Sequence, residues 1–270
     1  MNPFQTLNRG LLIACLGISL AAFGGEQAAE ASLRNRVRGT VSVMGKPVAG
    51  ASVTLWTTRG GQTPEQVKAV RSKKDGSFAL SVKPKNGTVH YLIASGGTVN
   101  NSNVDRLTML TVLDGTERGT AVINERTTVG SVWPNAQQLE GDQLIGSTNA
   151  LAIGSGHVKH LVDQRTGQFG ETLLNGFNLL SSETAARINV LSDLLALCGD
   201  PTKERGCTQL FQLTGATNSL DAMTNIAKSP WKNSGKLYKL FDKNYPLNNS
   251  KERRITASLP YLLFQPESFS

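Results

Sequence analysis

Histidine and cysteine are nearly missing from this chain: there are three of each in 270 residues. No Cys-x-x-Cys occurs, so the paired thiolate spacing of a structural zinc site is excluded. Aromatic residues make up only 6% of the chain and do not interleave with the basic ones, which argues against a stacking surface for nucleic acid. The longest apolar run, residues 11 to 23, is thirteen residues and falls short of the ~20 that a membrane-spanning helix requires. No self-similar period of blade length runs through the chain, so it holds no propeller of its own.

What is present begins with an export segment. Arg9 precedes the apolar run, and Ala29-Glu30-Ala31 offers the small residues a signal peptidase needs, so cleavage after Ala31 and a secreted or periplasmic location are expected. Leu12-Ile13-Ala14-Cys15 also matches a lipoprotein signal. Most of the apolar run follows Cys15, however, which puts the hydrophobic core on the wrong side of the cut and disfavours lipid anchoring there. Removal of residues 1 to 31 takes away Arg9, Glu26 and Glu30 and raises the net charge from +8 to +9. Lys73-Lys74, Lys83, Lys85 and Lys251 to Arg254 are scattered among polar residues; a solvated face is the favoured reading, with a weak preference for anionic surfaces left over. Export leaves two cysteines, Cys198 and Cys207, in a compartment that permits disulfides, and a structural bridge between them is expected.

From residue 37 the pattern alternates. Val37, Gly39, Val41 and Val43 share one parity, as do Ala51, Val53 and Leu55, while Thr40, Ser42, Ser52 and Thr54 take the other. Each run is therefore a strand with one buried face. Met44-Gly45-Lys46-Pro47 reverses the chain between them, and Asp75-Gly76 predicts a hairpin between residues 68 to 72 and 77 to 82. Residues 57 to 66 read as an exposed loop, 88 to 95 as a nearly continuous apolar strand, and 107 to 113 and 120 to 124 as the last strands, with Asp114-Gly115 as a second hairpin cue. Gly45-Lys46-Pro47-Val48-Ala49-Gly50-Ala51-Ser52-Val53-Thr54-Leu55, followed by Asp75-Gly76-Ser77-Phe78-Ala79-Leu80, resembles the carboxypeptidase regulatory-like domain. That resemblance implies a seven-stranded transthyretin-like β-sandwich over residues 32 to 125. It implies a fold and no activity.

At residue 127 the period switches from two to 3.6. Val129, Val132, Trp133, Ala136 and Leu139 recur at helical spacing with Thr128 as the expected cap, and Pro134 predicts a kink or a restart. Further helices are expected over residues 149 to 162, from Ser182-Glu183 with Ile188, Leu191, Leu195 and Cys198 on one face, from Asn218 with Leu220, Met223 and Ile226 inward, and over residues 231 to 241. The expected class is thus α+β and multi-domain: a sandwich, a small helical domain over residues 126 to 243, and an irregular tail over 244 to 270. Asn124-Glu125-Arg126-Thr127-Thr128-Val129 with Val132-Trp133-Pro134 and Trp231-Lys232-Asn233 resembles the connector that precedes NHL-repeat or streptogramin-lyase-type propellers in secreted bacterial proteins. On that resemblance the chain has a second reading, as the truncated front part of a propeller protein, with residues 259 to 264 as a remnant strand.

Three constellations bear on chemistry. His157, His160 and Asp163 fall at i, i+3 and i+6 and could face one side of a helix as metal ligands. Asp163 also opens a turn that Gly167 closes, and no fourth ligand is near in sequence, so the structural reading is preferred and no cofactor is expected. Ser155 between Gly154 and Gly156 lacks the glycine spacing of a nucleophile elbow, and no His-x-x-Glu pair supports zinc peptidase chemistry. Trp56 falls on the parity opposite Val53 and Leu55 and so needs a partner: either a sugar ring or, as preferred, the helical segment. The sequence therefore points to a secreted, non-enzymatic interaction module that meets a cell-wall polymer, glycan or envelope protein, with no nucleic acid partner and no membrane span.

Overall fold

The computed structural model describes residues 36 to 82, 87 to 113, 119 to 181 and 183 to 245. The export segment with Cys15, the tail from residue 246 with its run at 259 to 264, residues 83 to 86 and 114 to 118 where turns were expected, and Ser182 at the expected helix start lie outside the described residues. The architecture is mixed α+β. Its longer strands are β1 (Arg36–Val43), β2 (Ser52–Thr58), β3 (Glu65–Arg71), β4 (Ser77–Ser81), β5 (Val89–Ser95), β6 (Thr108–Val112) and β7 (Gly119–Ile123). In one sheet β1 pairs antiparallel with β4 and with Lys46–Pro47, and parallel with β7. The other is antiparallel throughout, in the order β3, β2, β5, β6.

The alternation works as the side-chain period of two demands. Val37, Val41 and Val43 of β1, Val53 and Leu55 of β2, Phe78 and Leu80 of β4, and Ala121 and Ile123 of β7 are all buried. Each Val, Leu, Ile or Phe side chain among them, withdrawn from water, contributes roughly 1.5 to 3 kcal/mol. Gly39 sits where β1 meets β7 most closely: a Cβ there would run into the Ala121 carbonyl oxygen and lie 2.6 Å from the Phe78 ring. Met44 and Gly45 both take positive φ, as the tight reversal before Lys46–Pro47 requires.

Two expected hairpins are corrected. Asp75-Gly76 does form a tight turn, with the Ser77 N–H donating to Asp75 Oδ1 at 2.9 Å and Gly76 at φ +76°. The strands it joins nevertheless part company, β3 to one sheet and β4 to the other. The turn chemistry is local, whereas pairing is decided by which buried face each strand must cover. β6 and β7 likewise pair with β5 and β1 in different sheets. The exposed loop is also shorter than expected, since β2 runs on to Thr58 and β3 begins at Glu65. β3 is an edge strand protected by Glu65, Lys68 and Arg71 and by a bulge between Leu55 and Trp56 of its neighbour.

The helices are α1 (Glu125–Asn135), α2 (Thr148–Leu161), α3 (Glu171–Leu174), α4 (Gly176–Ser181), α5 (Thr184–Ala196), α6 (Glu204–Thr214), α7 (Ser219–Lys228) and α8 (Ser234–Asn244). Asn124, not Thr128, caps α1: its Oδ1 accepts from the Thr127 N–H at 2.8 Å while its own N–H donates to Thr127 Oγ1 at 3.0 Å. Pro134 lies in the last turn of α1, which passes at Ala136 into the 3-10 turn Ala136–Gln138. α8 starts at Ser234, later than the 231 expected, because Asn233 is left-handed at φ +57° and Trp231 is left in the preceding turn, 63% exposed. The short α3 and α4 had no periodic signal.

Helical hydroxyls finish the second sheet. β6 is its outer strand, and its outward N–H groups would be stranded in a buried place. The Leu110 N–H donates to Thr128 Oγ1 at 3.1 Å, the Val112 N–H to Ser131 Oγ at 3.0 Å, and the Thr108 N–H to Ser219 Oγ at 2.8 Å. Gln164 adds a donor to the Val112 carbonyl at 3.1 Å. α1 and α7 thus take the place of a further strand. The buried apolar residues, from Val37 in β1 to Phe241 in α8, form one continuous core.

Candidate functional site

Trp56 stands opposite Tyr91 in the β2–β5 register, and the two rings stack nearly parallel, 8° apart with centroids at 6.2 Å. Tyr91 is fully buried and accepts from the Leu144 N–H at 3.3 Å, so the residues after α1 lie over this face. Thr58 Oγ1 donates to the Leu144 carbonyl at 2.7 Å on the same side. Burial pushes the Tyr91 hydroxyl well above the ordinary tyrosine range. Trp56 is half-buried against the core and spends part of its ring face on Tyr91.

His157 and His160 share the outer side of α2, with ring centroids 6.1 Å apart. His160 Nδ1 lies 2.9 Å from Thr172 Oγ1 in α3. Asp163 does not join them. Its Oδ1 accepts from the Arg165 N–H at 2.9 Å and its Oδ2 from Thr166 Oγ1 at 3.0 Å, which closes the turn to Gly167. Among the described residues no group of three or more His, Cys, Asp or Glu side chains is placed to hold a metal ion. Ser155 Oγ donates one turn back to the Leu151 carbonyl at 2.6 Å. Cys198 and Cys207 are joined, S–S 2.07 Å and Cα–Cα 4.8 Å, and tie the end of α5 to α6.

Two clefts of about 290 Å³ each open on the surface. One lies between α2 and the ends of β2 and β5, over Val89, Leu113 and Leu151; its Thr58 and Ser155 hydroxyls are committed to backbone carbonyls. The other is the groove between α6 and α8. Leu237 and Phe241 of α8 and Cys207 and Leu210 of α6 face inward, and the groove is lined by Lys236, Lys239 and Lys243 from α8 and Gln209 and Gln212 from α6, with Leu213 and Leu240 between them. No acidic side chain lines it. Lys236 with Lys239 and Lys239 with Lys243 are like-charge pairs at i, i+3 and i, i+4, each costing the helix about 0.2 to 0.5 kcal/mol. An anion in the groove would remove that cost. The spacing was readable in the sequence; what was missed is that α6 supplies a facing wall.

Two half-buried acids, Glu125 and Asp193, lie where β1, α1, α5 and α8 converge. Glu125 Oε1 accepts from the Met44 N–H at 2.7 Å, and burial raises its carboxyl above the ordinary range. Asp193 on α5 is pushed up to about 6, first by burial and then by the charge of Glu125, against the pull of Lys203 and Arg126. Lys203 Nζ sits 3.4 Å from the centre of the Tyr245 ring. Nothing in the sequence linked these residues, which meet only through the fold.

No family model matches the sequence, and no curated protein matches it. Among the described residues no helix is long and apolar enough to cross a membrane.

Proposed function

We propose that the chain is an exported, non-enzymatic binding module in which a transthyretin-like sandwich of the carboxypeptidase regulatory-like kind carries a helical layer that grips an anionic polymer of the cell envelope. The observation that carries this reading is the groove between α6 and α8, with three lysines, two glutamines and no acid. Lysine ammonium groups supply non-directional attraction to phosphate or carboxylate, and glutamine amides can hydrogen-bond hydroxyls along a polymer. The export signal, the basic net charge and the disulfide support the address. Trp56 lines neither cleft, so the sugar-stacking role is set aside in favour of the groove.

The test uses labelled poly(glycerol phosphate) and a neutral dextran of similar length. At about 50 mM salt the phosphate polymer binds and the dextran does not, and the affinity falls steeply toward about 500 mM. Replacing Lys236, Lys239 and Lys243 together by Gln abolishes binding without lowering the melting temperature. Equal binding by that triple variant refutes the groove as the site.

A further inference from the structure

We propose that His157 and His160 form a two-histidine site for a divalent first-row transition ion on the outer side of α2, with Thr172 as the residue that positions His160. A helix brings side chains at i and i+3 to one face, one above the other, and both rings here are exposed to solvent. A zinc ion holding two imidazole nitrogens at about 2.0 to 2.1 Å places the ring centres roughly 5 Å apart. His157 and His160 stand at 6.1 Å, a gap that small rotations of two exposed rings close.

The contact with Thr172 gives the pair its direction. Thr172 Oγ1 lies 2.9 Å from His160 Nδ1, and in the tautomer whose Nδ1–H donates to that hydroxyl the Nε2 lone pair is left for an ion. This is the outer-shell arrangement that holds a metal-binding imidazole in one tautomer and one orientation. Thr172 is itself fixed, since its carbonyl accepts from Asn178 Nδ2 at 2.7 Å. The remaining coordination positions go to water, because Asp163 is engaged in its own turn. Two neutral imidazoles with open positions favour Cu²⁺ over Ni²⁺ and Zn²⁺. The site lies on α2 and α3, apart from the α6–α8 groove, so it stands or falls independently of polymer binding.

The experiment titrates Zn²⁺, and separately Cu²⁺, into the untagged full chain after chelator treatment, with calorimetry for Zn²⁺ and electron paramagnetic resonance for Cu²⁺. The expected result is one equivalent bound, with a spectrum of two coordinated nitrogens. His157→Ala and His160→Ala each weaken binding by at least about tenfold and leave the melting temperature unchanged, as both rings are exposed. Thr172→Val weakens it about tenfold while the two-nitrogen spectrum is kept. No binding by the full chain, or equal binding by the two alanine variants, overturns the site. Equal affinity in Thr172→Val overturns the positioning role.

Discussion

Replacing Asp193 by Asn should make the protein more stable at neutral pH and leave it unchanged in acid. The carboxyl of Asp193 has a folded value of about 6 against an ordinary 3.8, because burial and the neighbouring Glu125 charge oppose its ionisation more than Lys203 and Arg126 assist it. A group whose pKa is raised on folding favours the folded state while it holds its proton. That advantage is complete below about pH 4 and is lost as pH rises through about 6. The full shift corresponds to about 3 kcal/mol. Asp193 is only half-buried and water screens part of the penalty, so about 1 to 2 kcal/mol is the working figure. Asn keeps the shape and removes the charge, which for a chain of this size raises Tm by roughly 3 to 6 °C at pH 7.5. Thermal melts of both proteins from pH 4 to pH 8 are the assay: the difference should grow with pH and vanish near pH 4. A variant that melts lower at pH 7.5, or whose gain does not change with pH, refutes the reasoning. It would mean that the carboxylate is paid back by an interaction stronger than its burial.

Thr128→Val combined with Ser131→Ala strands the Leu110 and Val112 N–H groups and should cost about 2 to 5 kcal/mol, with amide exchange in β6 rising more than in β2. Uniform exchange across both strands would show that the hydroxyls do not hold the edge. For the disulfide, Cys198→Ser should lower stability by about 2 to 3 kcal/mol, and denatured, unreduced mature protein should show no free thiol. Two reactive thiols in that titration would refute the bridge.

The elements were legible where a single period governed them. Val37, Val41 and Val43, or Leu220, Met223 and Ile226, each fill one buried face, and alternation or helical spacing states that directly. β5 was legible for another reason: His90 to Ala94 are all buried, so the unbroken apolar run reports a strand covered on both faces. What could not be read was which strands pair. Asp75-Gly76 encodes a turn of four residues, and nothing in those residues says that β3 and β4 leave it for different sheets. The Asn124 cap was missed because Thr127 and Thr128 offered two hydroxyls in a row, and only the fold shows that Thr128 is already engaged with Leu110. Sites that draw on one helix, such as the His157 and His160 pair or the α8 lysines, leave a spacing in the sequence. The Glu125 and Asp193 cluster leaves none, since four separate segments build it.

The hydroxyls along β6 explain why the helical half clings to the sheets. An outer strand normally exposes its unpaired N–H groups to water or blunts them with charge, as β3 does with Lys68 and Arg71. β6 does neither: Met109, Leu110, Thr111 and Val112 are buried, so its outward N–H groups have no water to meet. Each must find a partner or cost about 1 to 3 kcal/mol. Thr128, Ser131 and Ser219 supply those partners from helices that also pack apolar side chains on the core, which fixes α1 and α7 in register with the strand as well as against it. Apolar packing alone would let a helix slide along the sheet. Three hydroxyl acceptors spaced to match alternate amides do not, and through α7 and the core shared with α6 and α8 that registration extends to the walls of the lysine groove. A rigid groove loses less entropy on gripping a polymer than a mobile one, which is how this registration would serve the binding proposed for the groove.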